Sequence, residues 1–314
     1  MFSKKSLSKM TTFQVGGPTE LLALVQSEVQ LRKIAEFGKE FNLPLFVLGK
    51  GSNVLFDDSG FMGIVIRLKK NFQSFNPDVL IYSDPIKYAT TDSMYKEGLR
   101  AFWVGAGVSL NNLVRFGIER SLTGIEDLAG IPGTVGGGIF MNASAGETEI
   151  SKYLSKIRVY DLQNDNFYDI PSDQLKFSYR HVEFPEHLSP AVVITKALFT
   201  LKAGDQKLIK QRVKETLANR KERLPQGRSA GSVFKNPPGL KAWKLIEDAG
   251  LKGFRVGGAI VSEKHGNVIL NYWNANASEI RHLISYIKLT VFQKFQVELI
   301  PEIKIITRSG EIYP

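Results

Sequence analysis

The sequence predicts an α+β fold, and two observations carry that expectation. From Ala101 to Leu201 the apolar runs are short, broken by turn residues, and accompanied by few long helical stretches. Residues 19–68 instead form a β-α-β pattern: an apolar run Leu21–Val25, a helical face, and a second apolar run Leu45–Leu48. Both regions are punctuated by glycine-rich turns, one of which dominates the middle of the chain.

Taken in order, Ser27-Glu28-Val29-Gln30 is a capping-box pattern, and Leu31, Ile34, Ala35 and Phe37 continue the face of a helix behind it. The run Leu45-Phe46-Val47-Leu48 reads as a buried strand and Gly63–Leu68 as the next one, with the turn Gly49-Lys50-Gly51-Ser52-Asn53 after the first. Residues 70–100 are polar and turn-rich. Ala101–Gly107 reads as a strand and turn. Ser109 is placed to cap a helix carrying Leu110, Leu113, Val114 and Ile118. Ile157–Tyr160 and Phe167–Ile170 form a hairpin around Gln163-Asn164-Asp165, and Ala191–Leu201 is a longer strand. Beyond Lys202-Ala203-Gly204-Asp205 the composition shifts. Leu208, Ile209, Val213 and Leu217 mark one helix, Ala242 to Ala249 a short one, and Ile280, Leu283, Ile284, Ile287, Val291 and Phe295 a long one. Gly257–Val261, Asn267–Leu270 and Val297–Ile306 read as strands.

At 314 residues the chain has length for two or three domains. Its 43% apolar and 23% charged content is that of a globular protein, and no apolar run reaches a membrane span. The opening MFSKKSLSKM has lysines but no following apolar segment, so it does not read as a secretory signal, and a cytoplasmic location is expected. The absence of cysteine excludes disulfides, thiolate catalysis and Cys-ligated metal. The four histidines form no HExxH-type pair, so no metal site is expected. The net charge of +10 suits a nucleic-acid binder or a handler of small anions. The basic residues are spread, with no stripe interleaved with aromatics, and a solvated basic surface accounts for most of them.

Four stretches carry the candidate chemistry. In Gly130-Ile131-Pro132-Gly133-Thr134-Val135-Gly136-Gly137-Gly138 the glycine density is expected to exclude a regular helix or strand. It favours left-handed turns whose bare amides make an anion nest. A diphosphate is the partner this suggests, and a turn-rich connection without a ligand is the plain alternative. The turn Lys50-Gly51-Ser52-Asn53 lacks the Walker spacing, yet it offers amides and a hydroxyl to a phosphate. Ser232 lies in Gly231-Ser232-Val233-Phe234-Lys235-Asn236-Pro237, either as a backbone-bonded strand serine or as a proton donor. Glu302 lies in Leu299–Ile305. Alternation puts it on a strand face with Lys304, either facing solvent or desolvated toward the neutral acid. Arg180, in Ser178-Tyr179-Arg180-His181, is a structural arginine or a planar fork for a carboxylate.

The joint order of these motifs, GKGSN, GIPGTVGG, YR, AGSVFKNP and PEI, resembles that of the UDP-N-acetylenolpyruvoylglucosamine reductases of peptidoglycan synthesis, over nearly the whole chain from Thr11 to Ile306. The resemblance implies a two-part FAD-binding region of the vanillyl-alcohol-oxidase type and a C-terminal α+β substrate-binding domain. The boundaries it suggests are 1–70, 71–204 and 205–296, with 297–314 returning to the active site. It implies non-covalent FAD held by Lys50–Asn53 and Gly130–Gly138. NADPH would be the hydride source and UDP-N-acetylglucosamine enolpyruvate the substrate. Arg180, Ser232 and Glu302 would be the catalytic trio: hydride passes from flavin N5 to C3, Arg180 and a protonated Glu302 hold the charge that develops, and Ser232 protonates C2. Arg220, Arg223, Lys235 and Asn236 become substrate contacts. A monomer with no nucleic-acid or membrane partner is expected. Only Lys202–Gln206 stands where one subclass inserts a tyrosine-bearing loop, so the chain resembles the shorter subclass. Two departures stand out. Val182 occupies the position of a small polar residue two after the arginine, and the tail Thr307-Arg308-Ser309-Gly310 differs from the common ending. Two other readings are a sugar or alcohol oxidase of the same fold, which calls for a covalent flavin attachment residue, and a non-enzymatic basic nucleotide-binding module.

Overall fold

This computed structural model describes residues 2–76, 98–146 and 148–313. The chain divides into two compact units. One comprises Met1–Ala23, Glu36–Ile66 and Arg220–Pro314, the other Leu24–Ala35 and Arg67–Asn219. The expected polar stretch 70–100 is described only at its ends, and residues 77–97 lie outside the described residues.

In the first unit, Phe2–Ser6, Pro18–Val25, Phe61–Leu68 and Leu45–Val47 form a sheet in that order. Leu45–Val47 runs parallel to Phe61–Leu68 at the sheet edge. It is half-exposed, so the expectation of a buried strand holds only for Leu48, just beyond it. In Leu24–Ala35, which belongs to the second unit, the Ser27 hydroxyl accepts from the Gln30 amide as a cap, while the Gln30 side chain accepts from the Gln26 amide, one residue before the cap position, so the expected box is only half made. The helix Glu28–Glu40 follows. A second sheet sets Lys304–Ile306 between Val54–Phe56, in parallel, and Ile312–Tyr313, antiparallel. The tail Thr307-Arg308-Ser309-Gly310 folds back as a hairpin, with the Gly310 amide on the Thr307 carbonyl. A third sheet, Arg255–Val256, Ala259–Val261 and Ile269–Asn271, is an antiparallel meander. The helices Ala242–Asp248 and Ala277–Phe295 share with it one apolar core that includes Val233, Phe234, Leu299 and Ile303. The long helix buries Ile280, Leu283, Ile284, Ile287 and Val291 as its periodicity requires. Phe295, in its last turn, is exposed, and the helix is closed there by left-handed Gln296, whose amide donates to the Phe292 carbonyl.

The second unit is built on an antiparallel sheet ordered Asn166–Pro171, Leu154–Asp161, Val192–Ala203, Leu99–Gly105, Phe75–Asn76. The expected hairpin is present, with Asp161 opposite Asn166. Its turn is fixed by Asp161, fully buried, whose carboxylate accepts from the amides of Gln163 and Asn164 and from Ser189. Burial pushes this carboxyl up, but those hydrogen bonds outweigh it and bring the pKa down to about 2. Ser109 caps the helix Leu110–Glu119 through the Asn112 amide. Only Gly204 and Asp205 separate Val192–Ala203 from the helix Gln206–Arg223, so no loop is inserted there. This helix buries only Ile209 and Val213. Leu208 is 65% exposed and Leu217 is also exposed, narrower burial than the periodicity predicts, because polar and charged residues fill most of the remaining face.

Candidate active site

In the first unit the Ser232 and Glu302 segments lie side by side. Phe234 faces Pro301 as an antiparallel bridge, the Lys235 amide donates to the Ile300 carbonyl (2.9 Å), and the Glu302 amide donates to the Val233 carbonyl (2.7 Å). The expected strand Val297–Ile306 is regular only over Lys304–Ile306, because Pro301 has no N–H to continue a ladder. Glu302 therefore sits in an irregular approach to the strand, 9% exposed and not facing solvent. On its other side Ser232 bridges to Val268, and the Val233 amide donates to the Asn267 carbonyl. The Asn267 side chain, buried to 4% exposure, spans Phe234: Oδ1 accepts from its N–H (2.9 Å) and Nδ2 donates to its carbonyl (2.8 Å). Sequence reasoning missed Asn267 as a site residue: the sequence places it only at the start of the strand Asn267–Leu270, and its partner Phe234 lies 33 positions away.

The turn Lys50–Asn53 touches the same segment. Asn53 Nδ2 donates to the Glu302 carbonyl (3.3 Å), and the Asn53 carbonyl accepts from the Lys304 amide (3.0 Å). Gly51 is left-handed at φ 65°, and an added Cβ would run into the Met10 carbonyl and lie 2.7 Å from Thr11 Cα. The amides of Gly51, Ser52 and Asn53 and the Ser52 hydroxyl make no hydrogen bond to the described residues. A half-buried turn with that many unspent donors suits a phosphate.

Lys235 and Lys304 are half-buried neighbours. Burial, and then the charge of Lys235, push the Lys304 ammonium below its ordinary pKa. Asn236 is committed locally, its Oδ1 accepting the Ala242 amide (3.0 Å) at the start of a helix. Arg220 and Arg223 occupy the last turn of Gln206–Arg223. Burial, and next the charge of Arg223, push His265 below its ordinary value.

In the second unit the glycine-dense stretch does not stay irregular. Val135–Phe140 forms a short helix, its Thr134 side chain accepting the Gly137 amide. Only Gly130, at φ 78°, is left-handed, so the expected run of left-handed turns is corrected to one. The other glycines serve close approach: a Cβ on Gly136 would lie 2.9 Å from that of Ala106, and one on Gly138 would lie 3.2 Å from Leu110 and Ile150 side chains. The Gly130 amide donates to Asn111 Oδ1 and the Ile131 amide to the Leu128 carbonyl. Those of Gly133 and Thr134 make no hydrogen bond to the described residues. The bare, partly accessible backbone of Gly133 and Gly137 and these two donors fit a large anionic cofactor.

Arg180 is the second residue of the two-residue turn joining Lys176–Ser178 to His181–Glu183, at φ 59°. Its guanidinium lies over the Tyr179 ring (5.0 Å), and Nη1 donates to Ser144 Oγ (2.6 Å).

Two family models match the chain: "FAD binding domain" over residues 19–164 and "UDP-N-acetylenolpyruvoylglucosamine reductase, C-terminal domain" over 222–306. Among curated relatives, the UDP-N-acetylenolpyruvoylglucosamine reductase of Caldanaerobacter subterraneus subsp. tengcongensis is 36% identical over 98% of this chain and 93% of its own length. That of Wolbachia pipientis is 36% identical over 96% and 95%. The crystal structure of UDP-N-acetylenolpyruvylglucosamine reductase (MurB) from Thermus caldophilus superposes with a TM-score of 0.79 at 34% identity, covering 96% of this chain and 98% of that one.

Proposed function

The chain belongs to the UDP-N-acetylenolpyruvoylglucosamine reductase family, and from that premise we propose that Arg180, Ser232 and Glu302 carry its chemistry. The enzyme is an FAD-dependent oxidoreductase of peptidoglycan precursor synthesis. It reduces the enolpyruvyl group of UDP-N-acetylglucosamine enolpyruvate with a nicotinamide reductant, which we take to be NADPH. Full-length similarity to reductases selects this reading over a sugar or alcohol oxidase and over a nucleotide-binding module.

The net change is addition of one hydride at C3 and one proton at C2, which saturates the vinyl ether and gives UDP-N-acetylmuramate. What bound FAD supplies is the hydride, accepted from NADPH and passed to C3. The chain's own residues do the rest. Lys50, Gly51, Ser52 and Asn53 in one unit, and Gly130–Gly138 in the other, hold the cofactor through backbone donors. The Arg180 fork and Glu302 in its acid form stabilise the negative charge that spreads from C2 into the substrate carboxylate. Ser232 Oγ holds the proton for C2. Arg220, Arg223 and Lys235 meet the diphosphate of the substrate, and Asn236 is a further substrate contact alongside its bond to Ala242.

The observation that carries the assignment is the Glu302–Val233 hydrogen bond, which sets the acidic residue beside the segment that begins at Ser232. We further propose that residues 1–70 and 71–204 bind FAD, that 205–296 bind substrate, and that 297–314 return to the site. The protein then works as a cytoplasmic monomer without nucleic-acid or membrane partners. Among the described residues no helix is long and apolar enough to cross a membrane. The test is an anaerobic titration of the yellow protein. NADPH bleaches the flavin bands and UDP-N-acetylglucosamine enolpyruvate restores them. Recovery with oxygen but never with the enolpyruvate would reject the substrate.

A further inference from the structure

Arg180 must present a planar fork at a fixed angle, yet it sits on a two-residue turn that is itself partly exposed. Two positions later, Val182 is 4% exposed and paired across the hairpin with Phe177, so it offers no hydroxyl. The polar support comes instead from the segment that follows the glycine-dense helix. Ser144 Oγ accepts from Arg180 Nη1 at 2.6 Å, the range of a strong charge-assisted bond. Asn142, buried to 2% exposure and left-handed at φ 39°, donates through Nδ2 to the Ser178 carbonyl (3.2 Å) and to Glu149 Oε2 (3.3 Å). One bond thus fixes the foot of the arginine turn and the other fixes the guanidinium.

The support is anchored further back. Ser144–Ala145 pairs antiparallel with Thr148–Glu149, and Ser144 faces Glu149. Thr148 Oγ1 donates to Asp127 Oδ2 (2.9 Å), and Asp127 also receives Arg212 (2.9 Å) and Thr216 (3.2 Å) from the helix Gln206–Arg223. A hydroxyl on a short, mobile strand would place a guanidinium poorly. One tied through Asp127 to a five-turn helix places it well.

We propose that Ser144 is a positioning residue for the reduction. Its hydroxyl holds the Arg180 guanidinium at the angle that meets the substrate carboxylate, the support that Val182 does not give. Asn142 holds the turn that carries the arginine. The inference rests on the role assigned above to Arg180. It places a specificity-relevant hydroxyl in the glycine-rich half of the chain, on a side chain that touches neither the hydride nor the proton.

The experiment is rapid-mixing kinetics of the FAD-loaded enzyme, with the two half-reactions read separately, on Ser144→Ala, Ser144→Thr, Arg180→Ala and the Ser144→Ala/Arg180→Ala double variant. Loss of one hydrogen bond to a charged group slows flavin reoxidation by the enolpyruvate by about 10- to 100-fold in Ser144→Ala. Reduction by NADPH and the thermal midpoint stay near wild type. Ser144→Thr restores the rate, and Ser144→Ala adds nothing once Arg180 is gone. If Arg180→Ala is slow while Ser144→Ala is not, or if the two losses multiply in the double variant, Ser144 does not work through Arg180 and the inference is overturned. If Arg180→Ala reoxidises at the wild-type rate, the assignment of Arg180 itself fails, and this inference fails with it. Should Ser144→Ala unfold, wild-type kinetics in a folded Ser144→Val would overturn the inference equally.

Discussion

The amide of Glu302 donates to the carbonyl of Val233 at 2.7 Å, so an acid and the segment of a serine 70 residues earlier are locked together by main chain alone. Side-chain substitution at either end leaves that bond in place. What sets the register is Asn267, whose amide bonds both the N–H and the carbonyl of buried Phe234. Asn267→Ala is expected to leave two buried backbone groups unpaired and to cost about 2–5 kcal/mol. Chemical denaturation measures this, and an unchanged midpoint would mean that water replaces the side chain without penalty.

The turn at Gly51 tests the cofactor assignment. A methyl there meets the Met10 carbonyl and forces an L-residue into the left-handed region. Gly51→Ala should lower stability by about 1–3 kcal/mol and weaken FAD retention by about tenfold or more. The flavin-to-protein absorbance ratio after gel filtration reads it. Full occupancy at wild-type affinity would remove this turn from the cofactor site.

His265 reports on Arg223. Burial first, and the Arg223 charge second, hold its pKa below the ordinary 6.5. The unfolded chain then binds the proton more readily than the folded one, so this histidine lowers stability as pH falls through 6.5 toward the folded pKa, and not above 6.5. Arg223→Gln should move the imidazole titration, followed by NMR, upward but short of 6.5, because burial remains. A diphosphate ligand seated on Arg223 should move it the same way in the wild-type protein. A titration indifferent to UDP would take Arg223 out of the substrate site.

Much of the architecture is legible in the sequence because its signals are local. The Ser27 and Ser109 caps and the Gln163–Asp165 turn each depend on a few adjacent residues, and each forms. Alternation reads the Glu302 segment as one long strand, because it cannot register that Pro301 interrupts the ladder. The short helix in the glycine stretch is not legible, because composition cannot distinguish a left-handed turn from a helix whose glycines admit Ala106 and Leu110. Asn142, Ser144 and Asn267 were invisible as site residues, since their partners lie 36, 36 and 33 positions away.

The central claim is that Ser232 supplies the proton while leaving hydride uptake alone. The most direct measurement is the reoxidation of NADPH-reduced Ser232→Ala by UDP-N-acetylglucosamine enolpyruvate under anaerobic single-turnover conditions. The account predicts flavin reduction by NADPH at the wild-type rate and reoxidation slowed by about 10²- to 10⁴-fold. Reoxidation at the wild-type rate would contradict it and move the proton donor elsewhere.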